Sequence, residues 1–257
     1  MRRKSPVAAA DGGHVAPASN AARRGGPRWL YLHGFASGPD SAKGTRLAAH
    51  FAERGISLAR LDLRQPSMEH LRLSAMIAHV RAAVGDAADR AVVFGSSLGG
   101  LAAARLAEDD ARVCALVLLA PAFRIVERWR ARLGGSEWEA WRRDGYLETK
   151  DHANGGMARV DFGFAEDAEI VDARGGGWPD VRVPTLVIHG TRDDVVPVSG
   201  SRAWARGKRH VRLVEVDDDH ELIASLERIS EEADRHLAGF MCDPSETRNC
   251  EQHPCKA

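Results

Sequence analysis

Gly95-Ser96-Ser97-Leu98-Gly99 sets a serine in a G-x-S-x-G pattern. Before it lies an apolar β-type run, Ala91 to Phe94, and after it an alanine- and leucine-rich run, Leu101 to Ala107, that favours helix. A serine on such a strand-to-helix turn is strained and needs small neighbours, because the chain passes close on both sides. The pattern makes Ser97 the candidate nucleophile and Ser96 the variable position. A serine hydroxyl is a weak nucleophile at neutral pH and requires a base, normally a histidine oriented by a carboxylate. Asp193 follows in His189-Gly190-Thr191-Arg192-Asp193-Asp194-Val195-Val196-Pro197, just past one apolar strand, and His220 follows in Asp217-Asp218-Asp219-His220-Glu221, just past the next. All three residues therefore fall at the carboxyl ends of strands that a parallel sheet brings to one edge. Asp194 is the neighbouring alternative for the acid. The short turn after Gly190 favours Asp193. His210 and His236 are weaker bases, one opening a strand and the other late in a helix. His50, His70 and His79 precede the nucleophile.

Negative charge developing on a substrate oxygen needs two N–H donors. The helix N-terminus after Ser97 offers the Leu98 amide. The loop His33-Gly34-Phe35, after the first core strand, offers the Phe35 amide, with Gly34 permitting the tight bend. His33 reads as a hydrogen-bonding brace rather than a base. These residues need a scaffold, and the apolar pattern supplies one. Strands are expected at Arg28–Leu32, Ile56–Leu63, Ala91–Phe94, Val113–Ala120, Val183–Gly190 and Val211–Val216. Helices are expected from Ala42 to Arg54 with a Ser41 cap, from Leu73 to Val84, after the serine turn, from Ser199 to Arg206, and from Glu221 to Leu237. On the last of these Leu222, Ile223, Leu226, Ile229 and Ala233 face inward. Six strands alternating with helices make an α/β architecture: a mainly parallel sheet covered on both faces, with ligands bound at the carboxyl edge.

The 257 residues suit one such domain with an insertion. Lys plus Arg number 36 and Asp plus Glu 36, a balance that speaks against a nucleic-acid partner, and no apolar stretch approaches the ~20 residues of a membrane span. Residues 1–27 are rich in Ala, Gly, Arg and Pro and read as a disordered leader. No apolar core follows Arg2-Arg3-Lys4, as a secretory signal requires, and an organellar transit peptide is the alternative. Cys114 lies in an apolar strand and reads as a buried thiol. Cys242, Cys250 and Cys255 crowd a tail, 239–257, beside His253. That tail reads as loose and polar, with a zinc knuckle as the alternative. Nothing demands an oxidising compartment, so the cytoplasm is the expected setting.

The chain resembles the α/β-hydrolases, and in particular the small bacterial serine esterases of the YqiA/YcfP-like kind. Four stretches carry the resemblance. They are Leu30 to Phe35 with Ser37, Gly38, Ser41, Ala42 and Lys43; Gly95 to Gly100; His189 to Pro197; and Asp219 to Leu222. The resemblance implies an α/β-hydrolase core at 28–121 and 181–238, a Ser97–Asp193–His220 triad with Asp193 in the family's acid position, and a small-molecule acyl ester or thioester substrate. It implies no metal and no organic cofactor. Acyl transfer by the same triad and a non-catalytic ligand-binding relative are the alternative readings. Residues 122–180 fall where the superfamily places its cap. They hold Trp129, Trp138, Trp141, Tyr146, Phe162, Phe164 and Trp178. Candidate pocket residues are His33, Phe123, Trp138 and Trp141, although these aromatics serve equally to glue cap to body. Ala158 to Phe164 alternates like a hairpin strand, and Gly134-Gly135, Gly155-Gly156 and Gly175 to Gly177 are hinge candidates. Arg124, Arg128, Arg130, Arg132, Arg142 and Arg143 make the early insertion basic, as a solvated helix face or as a dock for an acidic substrate group.

Overall fold

Alternate residues of each core strand enter different hydrophobic clusters. On β1 (Arg28–Leu32), Leu30 and Leu32 join one cluster while Trp29 and Tyr31 join the other. On β4 (Val113–Leu119), Leu116 and Leu118 face one way and Ala115, Val117 and Leu119 the other. Burial on both faces is why these strands read as continuous apolar runs rather than alternating ones. The computed structural model describes residues 26–241. Residues 1–25 of the expected disordered leader, 1–27, and residues 242–257 of the expected cysteine tail, 239–257, with its zinc alternative, lie outside the described residues.

With β2 (Leu58–Leu61), β3 (Ala91–Ser96), β7 (Thr185–Gly190) and β8 (Val211–Val216), these strands form one six-stranded sheet in the order β2-β1-β3-β4-β7-β8. Every pairing in it is parallel. Helices α1 (Ala42–Ala52) and α7 (Leu226–Met241) cover one face through Leu47, Phe51, Ile229, Ala233 and Leu237. The other face is covered by α2 (Leu73–Val84) and α3 (Leu98–Asp109), with Trp204 of α6 (Val198–Ala205) beside them. The strand order reverses at β1. Its two neighbours, β2 and β3, leave it on opposite sides, so a crevice opens at the carboxyl ends of β1 and β3, where such sheets bind ligands. Ser41 caps α1 by accepting from the Gly44 amide at 3.4 Å.

Between β4 and β7 the chain builds α4 (Ile125–Asp144), an antiparallel hairpin of β5 (Tyr146–Lys150) and β6 (Met157–Asp161), and α5 (Gly163–Asp172). Gly134, with φ 72°, breaks α4 in two. Trp129, Trp138, Trp141 and Phe162 pack ring on ring, with Trp141 5.5 Å from both other tryptophans and 5.2 Å from Phe162. Trp141 Nε1 donates to the Val160 carbonyl at 2.9 Å, pinning hairpin to helix. Arg105, fully buried on α3, donates to Asp172 Oδ1 at 3.0 Å and to its carbonyl at 3.1 Å, tying the end of α5 to the core.

Several expectations need correction. β2 is shorter than Ile56–Leu63. Phe162 to Phe164 open α5 instead of continuing a strand. The last helix starts at Leu226, five residues later than expected, and runs to Met241, past the bound of 238. The Asp218 side chain accepts from the Ser225 amide at 2.9 Å and Leu222 adopts φ 55°, so residues 220–225 turn rather than wind. Ile223 is consequently 48% exposed rather than inward. No helix among the described residues is long and apolar enough to cross a membrane.

Candidate active site

β3 carries the chain into Ser97, which takes φ 52° and ψ −115°, a strained backbone for a residue with a side chain. The surrounding glycines make the turn possible. A Cβ on Gly95 would lie 2.5 Å from the Gly99 carbonyl oxygen, and one on Gly99 would lie 2.5 Å from the His33 carbonyl oxygen. The start of α3 thus presses directly on the end of β1. A Cβ on Gly34 would come within 3.3 Å of Ser97 Cβ, so the Gly34-Phe35 peptide runs alongside the serine.

Ser97 Oγ lies 3.1 Å from His220 Nε2, and His220 Nδ1 lies 2.7 Å from Asp193 Oδ2. The structure thus brings together the three residues singled out by order and spacing. The carboxylate fixes the proton on Nδ1, which leaves the Nε2 lone pair facing the serine hydroxyl. Asp193 Oδ1 accepts from the amides of Val195 at 2.9 Å and Val196 at 2.7 Å. Burial works against the charge of Asp193, but hydrogen bonds from His189 and His220 and the Val196 amide outweigh it and hold the carboxyl well below the usual range. Asp194 is exposed and makes no such contact.

Sequence reasoning left His189 and Lys43 without roles. His189 is fully buried; its Nε2 lies 2.7 Å from the Val196 carbonyl and 3.2 Å from Asp193 Oδ2, and its Nδ1 lies 2.8 Å from Ser201 Oγ. Lys43 Nζ donates to the Glu221 carbonyl at 2.9 Å and so holds the segment that carries His220. Burial pulls the Lys43 ammonium below its ordinary pKa, opposed by Glu221.

A cavity of about 420 Å³ opens over Ser97 and His220, bordered by Phe35 and Leu98. Its outer wall is the first half of α4, through Ile125, Arg128, Trp129, Arg132 and Leu133. Trp129 stands edge-on to Phe35 at 4.9 Å between ring centres. The four expected pocket residues do not line this space. His33 lies beneath the loop, with Nδ1 2.8 Å from the Gly34 carbonyl and Nε2 accepting from the Leu63 amide at 2.9 Å. Burial lowers its pKa, against opposition from the Gly34 carbonyl and Asp62. Phe123 packs on Trp204 at 4.7 Å, and Trp138 and Trp141 are buried in the aromatic centre of the insertion. The signal that locates the wall is a helical stripe: positions 125, 128, 129, 132 and 133 share one face of α4.

A parallel sheet of this strand order, flanked by helices on both faces and turning sharply at Ser97, is the α/β-hydrolase fold. Within that class, the chain belongs to the family described as "Uncharacterised protein family (UPF0227)", which matches residues 28–237. Among solved structures it is similar to mouse alpha/beta hydrolase domain-containing protein 10, at 20% identity, over 83% of this chain and 90% of that one, with a TM-score of 0.69. It is likewise similar to Est1E from Butyrivibrio proteoclasticus bound to ferulic acid, at 21% identity, over 84% and 90% of the two chains, with a TM-score of 0.70. The esterase domain of a Rhodothermus marinus protein is more distant, at 18% identity, over 85% and 90%, with a TM-score of 0.57. No curated protein matches the chain.

Proposed function

We propose that this protein is a serine hydrolase that cleaves carboxylic esters through an acyl-Ser97 intermediate. One observation carries the reading: an unbroken hydrogen-bonded line from Ser97 Oγ through His220 to Asp193, with a cavity open above the serine. His220 Nε2 takes the hydroxyl proton as Oγ bonds to the ester carbonyl carbon. The carbonyl oxygen becomes negative and meets the Phe35 and Leu98 amides. The imidazolium, held by Asp193, then passes its proton to the leaving alcohol as the carbon–oxygen bond breaks. Water, activated by the same imidazole, releases the acid and restores Ser97. Residues 122–180 act as the cap over this centre, in a cytoplasmic enzyme. Neighbours of the same fold include proteins described as esterases and lipolytic enzymes, which fits the reading.

A fluorophosphonate probe tests it. The wild-type chain is labelled at Ser97 and hydrolyses 4-nitrophenyl butyrate. Ser97→Ala loses both properties while folding normally, and Ser96→Ala keeps most of each. Activity persisting in a folded Ser97→Ala variant would overturn the assignment.

A further inference from the structure

Of the six arginines that make the early insertion basic, four are paired with carboxylates. Arg124 pairs with Glu127, Arg130 with Glu169 at 3.2 Å, Arg142 with Glu139 at 2.9 Å and Arg143 with Asp144 at 2.8 Å. Arg128 and Arg132 are the exceptions: among the described residues neither makes an ion pair, and these are the two that line the cavity over Ser97. Arg128 is the inner one. Its guanidinium reaches only the carbonyls of Phe123, at 3.3 Å, and Val195, at 3.4 Å, and its buried Nε has no hydrogen-bond partner. Burial lowers its pKa; the charges of Asp193 and Asp172 oppose this, and Arg132 reinforces it. The Asp193 carboxylate is already committed to His220, His189 and two amides.

Arg128 is half-buried with one buried nitrogen left unbonded, and it stands beside the exposed Arg132 with no acid between them, so a bound anion would supply the partner the guanidinium lacks. The acids on the cavity wall do not fill that role. Glu137 and Glu148 are exposed, and Glu221 faces Lys43 at 3.5 Å. We propose that Arg128, with Arg132 outside it, binds an anionic group of the substrate, so that the preferred esters carry a carboxylate close to the scissile bond. The planar fork of an arginine suits a carboxylate held by two parallel hydrogen bonds. This proposal rests on the ester-hydrolase reading for its catalytic arm and on binding alone for the other.

The catalytic arm compares 4-nitrophenyl butyrate with 4-nitrophenyl hemisuccinate, which has the anion on the acyl side, and with 4-acetoxybenzoate, which has it on the leaving group. Wild-type enzyme should favour one of the anionic esters over its neutral counterpart. Arg128→Met should lower kcat/KM for that ester about tenfold to a hundredfold more than for the butyrate. Arg128→Lys, which keeps the charge but not the fork, should fall between. The binding arm uses Ser97→Ala and measures succinate and benzoate by calorimetry, so it stands even if no ester is turned over. Binding should be present and should vanish in the Ser97→Ala/Arg128→Met double variant. Arg128 would be a mere tether between Phe123 and Val195 if its loss lowered all esters in proportion. Neutral esters preferred throughout, or no anion binding by folded Ser97→Ala, would also overturn the proposal. Failure of fluorophosphonate labelling with anion binding intact would count against the hydrolase reading alone.

Discussion

His189 and Asp193 stand four residues apart with both side chains out of solvent and His189 Nε2 3.2 Å from Asp193 Oδ2. The same carboxylate oxygen receives His220 at 2.7 Å, so one acid orients two imidazoles. His189 is held at its other end by Ser201. Asp193 is therefore clamped by its own loop before His220 approaches it.

That clamp separates Asp193 from its neighbour in a measurable way. Asp193→Asn keeps the shape but offers His220 the wrong partner, and the expected loss in kcat is about 10⁴. Asp194→Asn removes an exposed charge and should leave stability within roughly 0.5 kcal/mol and kcat almost unaltered. Steady-state kinetics on both variants decides which carboxylate serves the base.

Gly190 ends β7 where the loop bearing His220 passes. A Cβ there would lie 2.5 Å from the Asp219 carbonyl oxygen and closer still to that of Asp218. Gly190→Ala must push one loop off the other. Because a shift of about 1 Å in a reacting group costs on the order of 10², kcat should fall by that factor while circular dichroism stays native. Full activity in the variant would mean that the loops yield without moving His220.

His33 links stability to pH. Its folded pKa is lowered by burial, so the unfolded chain takes up a proton near pH 6.5 that the folded chain refuses. The stabilisation is complete above that value and is lost as pH falls below it, toward the depressed folded pKa. Urea midpoints at pH 7.5 and 5.5 should therefore differ less in His33→Gln than in the wild type. Equal differences in the two proteins would remove His33 from the account.

Trp129 and Trp141 touch, yet should behave differently. Trp129 lines the cavity, and Trp129→Ala should change selectivity among acyl chains while 4-nitrophenyl acetate hydrolysis changes least. Trp141 is 1% exposed, and Trp141→Ala should cost about 3–5 kcal/mol of stability with all esters affected alike. Denaturant melts and an ester panel separate the two outcomes.

Much of this architecture was legible because the core strands are buried on both faces and therefore leave unbroken apolar runs in the sequence. β1 at Arg28–Leu32 matches the expected bounds residue for residue, as does α2 at Leu73–Val84 through its stripe of Met76, Ile77, Val80 and Val84. Ser97 could be picked out because it directly follows such a run, and Asp193 because it lies three residues past another; His220 lies four residues past the edge strand β8, whose Val211, Leu213, Val214 and Val216 still mark it. The insertion was harder to read. β5, Tyr146-Leu147-Glu148-Thr149-Lys150, is half exposed and charged, so it shows no apolar alternation until its partner β6 is known. Trp138 and Trp141 looked like pocket residues because composition does not record which side of a helix meets a cavity. Residues 221–225 read as helix because Leu222 and Leu226 keep helical spacing. The bond from Ser225 to Asp218 that stops the helix joins residues seven positions apart, and no local pattern signals it.

The aromatic centre of the insertion has a consequence for divergence among related chains. Trp138, Trp141 and Phe162 cohere with one another, and Arg105 fastens the end of α5 to the body. The stripe at positions 125, 128, 129, 132 and 133 is thus mounted on a block with its own internal support. Substitutions along that stripe can redraw what the cavity admits without first passing through an unfolded sheet. Ile125, Trp129 and Leu133 serve both selectivity and foldability, since they also pack into the core, whereas Arg128 and Arg132 face the cavity without that duty, so a library confined to positions 128 and 132 should yield mostly folded proteins.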